Sequence, residues 1–336
     1  MNRQSLSSHT PADQGTPEGQ PVRPVRIGIS RCLLGEQVRY DGGHKREAFL
    51  VEVLGRFVEW VPICPEVEAG FGTPREPMRL MGDPQDPRLT TIRTGIDHTV
   101  RMTRFANRRV RELADLDLAG YVFKKDSPSC GVQGVRVYNQ EGTLSGRSKG
   151  LFAQSFQQHF PLIPVEEEDR LRNLSLRESF IDRVLGYHRW RALTRGRATR
   201  GALAAFHAQH KYLVLAHSPA HYQELEPLVA SAKDVNPRQS ALRYGQLFME
   251  ALKVKATVHK HVKVLKHLAG LLKGHLSRIE WEELQEAISE YRRGVTSLAV
   301  PLNSIADYAR VKEFAYLKNQ AYLNPPPEEL TLRNHA

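Results

Sequence analysis

The sequence predicts an α/β N-terminal domain with a mainly parallel sheet, followed by an all-α C-terminal helical domain. Three observations predict this. Short apolar runs alternate with amphipathic segments as far as Val165, the pattern of strands joined by helical crossovers. Beyond Asp169 the strand signal stops and helix caps recur. The charge divides at the same place: from Leu171 onward there are 25 Lys and Arg against 15 Asp and Glu, a net of +10 out of +11 for all 336 residues. The expected boundaries are a flexible tail over 1–24, an α/β domain over 25–168 and a helical domain over 169–336.

The tail is rich in Ser, Gln, Gly and Pro, a composition that buries too little to fold. Pro24 to Ser30 (PVRIGIS) is a buried strand. Lys45 to Phe57 has helical spacing, with Phe49, Leu50, Val53, Leu54 and Phe57 on one face. Val58 to Ile63 is a second strand. Asp97 to Leu116 is a basic amphipathic helix, and Ala119 to Phe123 a third strand. Val135 to Tyr138 is another strand, with a turn at Glu141-Gly142; Gly150 to Phe160 is helical and leads to a last strand at Leu162 to Val165. Glu166-Glu167-Glu168-Asp169 is a polar hinge. In the second half, Ser175–Glu178 and Ser277–Glu280 have the spacing of capping boxes. Ser218-Pro219 and Asn236-Pro237 place a cap before a proline at the first helical position. Gly274 stops a helix before the second box.

With 40% apolar and 25% charged residues the composition is that of a soluble globular protein. No apolar run approaches the ~20 residues of a membrane span. The N-terminus lacks the hydrophobic segment of a secretory signal, and three cysteines are an odd, small number, so the reducing cytoplasm is expected instead of a disulfide framework. There is no Walker motif and no GxGxxG after the first strand, which argues against a nucleotide cofactor.

Cys32, Cys64 and Cys130 each follow a strand, in the contexts ISRCLLG, PICPEVEAG and SPSCG. In parallel sheets, ligands bind beyond the carboxyl ends of the strands, where all three thiols fall. Three unrelated buried thiols are one reading, since free cysteine is among the most buried residue types. The Gly, Pro and Ser around them favour the other, a metal centre one ligand short of four and so open to substrate. Zinc would want a fourth ligand, for which His44, His98 and His159 are the histidines to hand.

At these residues the chain resembles the thiouracil desulfidases, the TudS family. The segments CLLG…VRYDGGHKR (Cys32 to Arg46), CPEVEAGFGTPREP (Cys64 to Pro77) and KKDSPSCG (Lys124 to Gly131) carry the likeness, which runs from about Val25 to Val165. It implies a [4Fe-4S] cluster held by Cys32, Cys64 and Cys130 with one open iron, and removal of sulfur from a thiolated pyrimidine without net redox change. HKYLVLAHSPAHY (His210 to Tyr222), the segment from Phe248 to Lys273 and YLNPPPEELTLRNH (Tyr322 to His335) resemble a helical family often fused behind the first. The fused arrangement is similar to desulfidases that act on 4-thiouridine in transfer RNA.

The implied chemistry is hydrolytic. An open iron binds the substrate sulfur, and water attacks the ring carbon with the help of an acid/base group. By the family motif that group is Glu66, with Glu68 its rival, and Ser127 orients water or ring, with Ser129 its rival; a solvated loop carboxylate and a turn-capping hydroxyl are the plainer readings. Arg39, Tyr40, Asp41 and His44 shape the pocket or hold loop backbone, and Gly42-Gly43 makes a tight turn. Arg75 meets a substrate carbonyl or phosphate, or else forms a loop ion pair. Lys124-Lys125 faces nucleic acid or solvent.

Placed on one helix, Arg243 to Lys273 sets Leu247, Val254, Val258, Leu265, Leu268 and Leu272 on an apolar stripe. Lys253, Lys255, Lys260, Lys263, Lys266 and Lys273 lie opposite, with no acid between Glu250 and Glu280. A face of one sign forgoes the i,i+4 pairs of ordinary surface helices. A second run, Arg183 to Lys211, has seven Lys and Arg and no acid. His261 on the apolar stripe is a satisfied core histidine. The expected partner is tRNA, through phosphate contacts of Lys253, Lys260, Lys263 and Lys266, with the thiolated base leaving its stack to reach the cluster. The expected function is cluster-dependent desulfuration of 4-thiouridine in tRNA. Alternatives are a desulfidase of free 2-thiouracil or thionucleotides, and a non-catalytic cluster-bearing RNA-binding or redox-sensing protein.

Overall fold

The structure, a computed structural model, describes residues 24–196, 199–230 and 236–323. The predicted tail and most of the Tyr322–His335 motif lie outside them. Two four-stranded sheets make up the first half. The first contains β1 (Arg26–Ser30), β2 (Glu59–Ile63), β5 (Gly120–Phe123) and β8 (Val165–Glu167) in the order β2-β1-β5-β8, every neighbour parallel. The chain reverses its direction of travel across the sheet between β1 and β5, the kind of switch point where a crevice opens at the carboxyl ends.

Both faces of this sheet are covered, as a parallel sheet requires. On one face Tyr121 and Phe123 stack at 3.8 Å and meet Phe152 and Phe156 of α3 (Leu151–His159) edge-on. Gly28 makes room there: a Cβ would stand 2.3 Å from the Tyr121 ring. The opposite face, with Ile27 and Leu54, receives Phe180 and Val184 of α4 (Leu174–Arg195). So the first long helix of the second half closes the sheet of the first.

The second sheet was not foreseen. Its strands β3 (Met78–Asp83), β4 (Asp86–Thr91), β6 (Val135–Tyr138) and β7 (Leu144–Ser148) run in the order β4-β3-β6-β7, with one parallel and two antiparallel pairings. MRLMGD and DPRLTT hide their strand character behind Asp, Gly and Pro. Leu80 and Leu89 are fully buried, and Pro87 lies on the edge strand, where no ladder hydrogen bond is lost. The helix α2 (Thr99–Leu113) forms as expected.

Three expected elements differ. Lys45–Phe57 is not a regular helix: Lys45 N and Glu47 N donate to Cys32 O and Leu33 O, both at 2.9 Å. Only one π turn (Phe49–Val53) and one 3-10 turn (Leu54–Arg56) follow. The last strand starts later than Leu162 and takes in the acidic run, which is no solvated hinge: Glu166, Glu167 and Glu168 are buried. Ser175 lies inside α4, capped instead by Asn173, whose Oδ1 accepts from Leu176 N at 3.2 Å.

The second half is helical: α5 (Arg200–His217), α6 (Pro219–Ala230), α7 (Pro237–Lys253), α8 (Val258–Leu272), α9 (Arg278–Arg293), α10 (Ala299–Val311) and the short α11 (Ala315–Lys318). The Ser277–Glu280 capping box forms in full, and Asn236 caps α7. α4 and α7 approach through two glycines. A Cβ at Gly186 would meet Leu252 at 2.5 Å, and one at Gly245 would meet Trp190 at 2.3 Å. Among the described residues no helix is long and apolar enough to cross a membrane.

The predicted Arg243–Lys273 helix is two helices, broken over 254–257. Thr257 caps α8, and the carbonyls freed by the break are satisfied from elsewhere. Val254 O accepts from His217 Nδ1 at 2.8 Å, and Lys255 O from Lys260 Nζ at 2.9 Å. Val258 is consequently exposed, not on a core stripe. His261 is satisfied as expected, 2.7 Å from Tyr322 OH.

Candidate active site

Strand register gathers the thiols. Ser30 pairs with Ile63, so Cys64 and Cys32 leave adjacent strand ends together. Cys32 lies in a 3-10 turn (Arg31–Leu34) closed by Gly35 at φ 96°, where a left-handed residue is needed. Cys64 caps α1 (Pro65–Glu68), and its N–H donates to Glu68 Oε1 at 2.9 Å. Cys130 follows β5 on a loop tied to β1, since Lys124 N donates to Ser30 Oγ at 3.0 Å.

All three free thiols line one cavity of about 400 Å³ at the carboxyl ends of β1, β2 and β5. Arg39, Tyr40, Glu66, Arg75 and Ser127 line it as well. Asp41, Glu68 and Ser129 are not part of its lining. His44, His98 and His159 do not line it. His98 packs against Phe71 with the rings tilted by 48°, and His44 Nδ1 accepts from Arg46 N.

Burial pushes the Cys32 thiol up to about 12, and the nearby Cys64 adds to the shift. Burial raises Cys64 and Cys130 too; Cys130 is raised further by Cys64, Glu66 and Cys32. Groups that favour thiolate oppose this: Lys124 and Arg39 at Cys32, the Val67 and Glu66 N–H groups with Arg75 at Cys64, and the Ser30 hydroxyl at Cys130. Among the described residues no group of three His, Cys, Asp or Glu side chains is assembled to hold a single metal ion. The donor chemistry fits an anionic iron–sulfur group: three thiols on one cavity, ringed by cations and N–H donors.

Glu66 has defined partners. Its Oε2 accepts from Arg75 Nε at 2.8 Å and its Oε1 from Ser129 Oγ at 2.9 Å. The side chains of Glu66 and Arg75 are only 13% and 7% exposed, so this pair is largely withdrawn from water. Arg75 also donates through Nη1 to Val38 O at 3.0 Å and Gly72 O at 2.8 Å, so it ties the loop together while lining the cavity. Glu68 bridges the Cys64 N–H and Arg109 on α2, the latter 3.1 Å distant. Ser127 Oγ accepts from Ser129 N at 3.2 Å and Cys130 N at 3.1 Å, capping the cysteine loop while its O–H stays available as a donor. Arg39 lies over the Tyr40 ring, and Gly42 (φ 76°) makes the turn beside them.

Lys124 and Lys125 are not a free pair. Lys124 Nζ donates to Glu168, and Lys125 Nζ to Asp169 at 2.7 Å. Sequence reasoning missed these carboxylates and Ser30. The signal was present: the apolar run from Leu162 continues at strand spacing into the acids.

The basic lysines stand in the helical half, away from this cavity lining. Lys253, Lys263 and Lys266 are exposed, whereas Lys260 donates to His217 O at 2.7 Å and is half-buried. Three of the seven cations of the Arg183–Lys211 run are used internally. Arg183 reaches Glu166 at 3.5 Å, and Arg191 and Arg195 reach Asp117. Arg197 lies outside the described residues.

Comparison with known proteins follows the same division. Residues 27–168 match the family described as 2-thiouracil desulfurase, and residues 211–327 match one described as a protein of unknown function, DUF1722. The uncharacterized protein YbgA of Escherichia coli (strain K12) is 32% identical over 161 residues, 47% of this chain and 94% of that one. The uncharacterized protein YbbK of Bacillus subtilis (strain 168) is 31% identical over 126 residues, 36% of this chain and 80% of that one. A solved structure titled [4Fe-4S]-dependent thiouracil desulfidase TudS is 32% identical and covers 46% of this chain and 98% of its own, with a TM-score of 0.38.

Proposed function

The chain belongs to the 2-thiouracil desulfurase family, and from that premise we propose that it is a [4Fe-4S]-dependent desulfidase that hydrolyses the C=S of 4-thiouridine in tRNA. The observation that carries the proposal is the single cavity lined by Cys32, Cys64, Cys130 and Glu66. Cys32, Cys64 and Cys130 would hold the cluster, which when bound supplies a thiophilic Lewis-acidic iron with an open position.

The remaining work falls to the protein's own groups. Glu66 Oε1 holds or moves a proton of the attacking water, with its other oxygen fixed by Arg75 so that the carboxylate points one way. The Ser127 O–H can donate to the ring or its developing charge, because its lone pairs are already engaged by two N–H groups. Tyr40 and Arg39 at the cavity wall offer a base a ring face and a cation. A cavity of about 400 Å³ is in the size range of small-ligand sites, ~300–1,000 Å³.

Charge supports the reading that the substrate is carried on RNA. Lys253, Lys263 and Lys266 stand exposed on α7 and α8, and among the described residues they form no ion pair. Such a face suits phosphate contacts, which give affinity and orientation without reading sequence. Action on a free thiopyrimidine or thionucleotide is the second reading, favoured by the internal pairing of Arg183, Arg191 and Arg195, which removes part of the expected basic surface. The cytoplasm remains the proposed location.

The test is anaerobic reconstitution followed by incubation with thiolated tRNA and with free 4-thiouracil, each analysed for the oxygen product. Conversion of the tRNA supports the proposal. Conversion of the free base alone selects the second reading, and stoichiometric zinc without iron rejects the cluster.

A further inference from the structure

Cys130 differs from the other two thiols in how it is held. Cys32 and Cys64 sit within two residues of a strand end, but six residues separate Cys130 from Phe123. A loop of that length needs outside anchors to keep one sulfur at a fixed point. Its entry is held by Ser127, whose Oγ accepts from Cys130 N. Its back is held by α3: Phe152 N and Ala153 N donate to Ser129 O, and a Cβ at Gly150 would meet the Ser129 carbonyl carbon at 2.5 Å.

The exit from the loop is held by Glu167. Its Oε1 accepts from Val132 N at 2.8 Å and from Gln133 N at 3.2 Å, two and three residues past the cysteine. The residue is 4% exposed, and among the described residues it forms no ion pair. A buried carboxylate without a cation is costly unless N–H donors need it. Burial raises its carboxyl above the usual range, while the same two N–H groups act the other way.

Its strand neighbours keep it in place. Glu166 is bound by Arg170 at 2.6 Å and by Arg183 of α4 at 3.5 Å; Glu168 accepts from Lys125 N at 2.7 Å. Consecutive residues of β8 therefore face opposite ways with fixed partners, and Glu167 is the one aimed under the cysteine loop.

We propose that Glu167 is the positioning residue for the third thiol: it fixes the Val132–Gln133 arm and so presents the Cys130 sulfur to the cavity. The proposal rests on Cys130 being a cluster ligand, as inferred above. Its test separates the two. In metal-free protein, the alkylation rate of each cysteine by iodoacetamide is followed by peptide mapping, for wild type, Glu167→Gln, Glu167→Leu and Gln133→Pro. Glu167→Gln keeps a carbonyl acceptor and should behave as wild type. Glu167→Leu should speed Cys130 by about tenfold with Cys32 and Cys64 unchanged, the size expected for loss of buried hydrogen bonds that close a local opening. Gln133→Pro removes one donor from the loop side and should move Cys130 in the same direction, so it decides the matter if the leucine variant does not fold. Bound iron per chain after reconstitution should fall as the Cys130 rate rises. An unchanged Cys130 rate, or equal acceleration of all three thiols, overturns the proposal. If wild type itself takes up no iron, the cluster fails, while the cysteine-specific rates still decide the role of Glu167.

Discussion

Ser129 Oγ donates to Glu66 Oε1 at 2.9 Å, joining the loop that carries Cys130 to the turn that carries Cys64. Ser129 is fully buried, and Arg75 holds the other carboxylate oxygen. The candidate acid/base group is thus aimed by residues from two different loops, which is the preorganisation a proton-handling carboxylate needs.

Replacing Glu66 by Gln should lower turnover by about 10²- to 10⁴-fold with iron content and RNA affinity unchanged, the range of general acid/base contributions. Ser129→Ala should cost about tenfold, because Arg75 still holds one oxygen. Single-turnover rates on reconstituted protein give both numbers; full activity of the glutamine variant would transfer the role to another group.

On the basic face, Lys263→Ala and Lys266→Ala should each reduce the slope of log affinity for tRNA against log salt by about one. Lys260→Ala should leave that slope alone and lower the melting temperature, since its Nζ serves His217 O and Lys255 O. A titration series at several salt concentrations distinguishes the two classes.

Arg183→Leu should destabilise the fold by about 1–3 kcal/mol, less than the loss of a sole counter-ion would cost, because Glu166 keeps Arg170 at 2.6 Å. The pair is well withdrawn from solvent, with side chains 14% and 10% exposed. The double change with Glu166→Gln should recover part of the loss, read from urea midpoints at constant slope.

His210 sets an acid limit. Burial pushes it down to about 3, with Arg189 adding to the effect. The unfolded chain, titrating near 6.5, then binds more protons than the fold between those values. Stability present above about pH 6.5 is lost as pH falls toward 3, by up to about 1.4 kcal/mol per pH unit for one such group. Unfolding in urea at pH 7, 6 and 5 should show this decline, and His210→Phe should make it shallower.

The parallel sheet was legible because its strands are short apolar runs, and the three cysteines because their loops are rich in Gly, Pro and Ser. The β3–β4 hairpin was not, since its buried Leu80 and Leu89 are too few to outweigh Asp, Gly and Pro. The acidic run misled for a related reason: three adjacent carboxylates read as solvated unless their partners are known, and those partners, Lys124, Arg183 and the Val132 N–H, are far off in sequence. Likewise a helical wheel drawn across Arg243–Lys273 cannot register a break that His217 stabilises from another helix.

The helix α4 belongs by contact to both halves: Phe180 and Val184 close the parallel sheet, while Gly186 and Trp190 interlock with α7. A fragment cut at residue 168 would leave Ile27, Leu54 and Val58 without their cover. Its solution behaviour would be dominated by self-association of that bare face. Truncation therefore tests solubility before it tests recognition, and a shortened catalytic unit needs to keep α4 with polar residues grafted onto its α7-facing side.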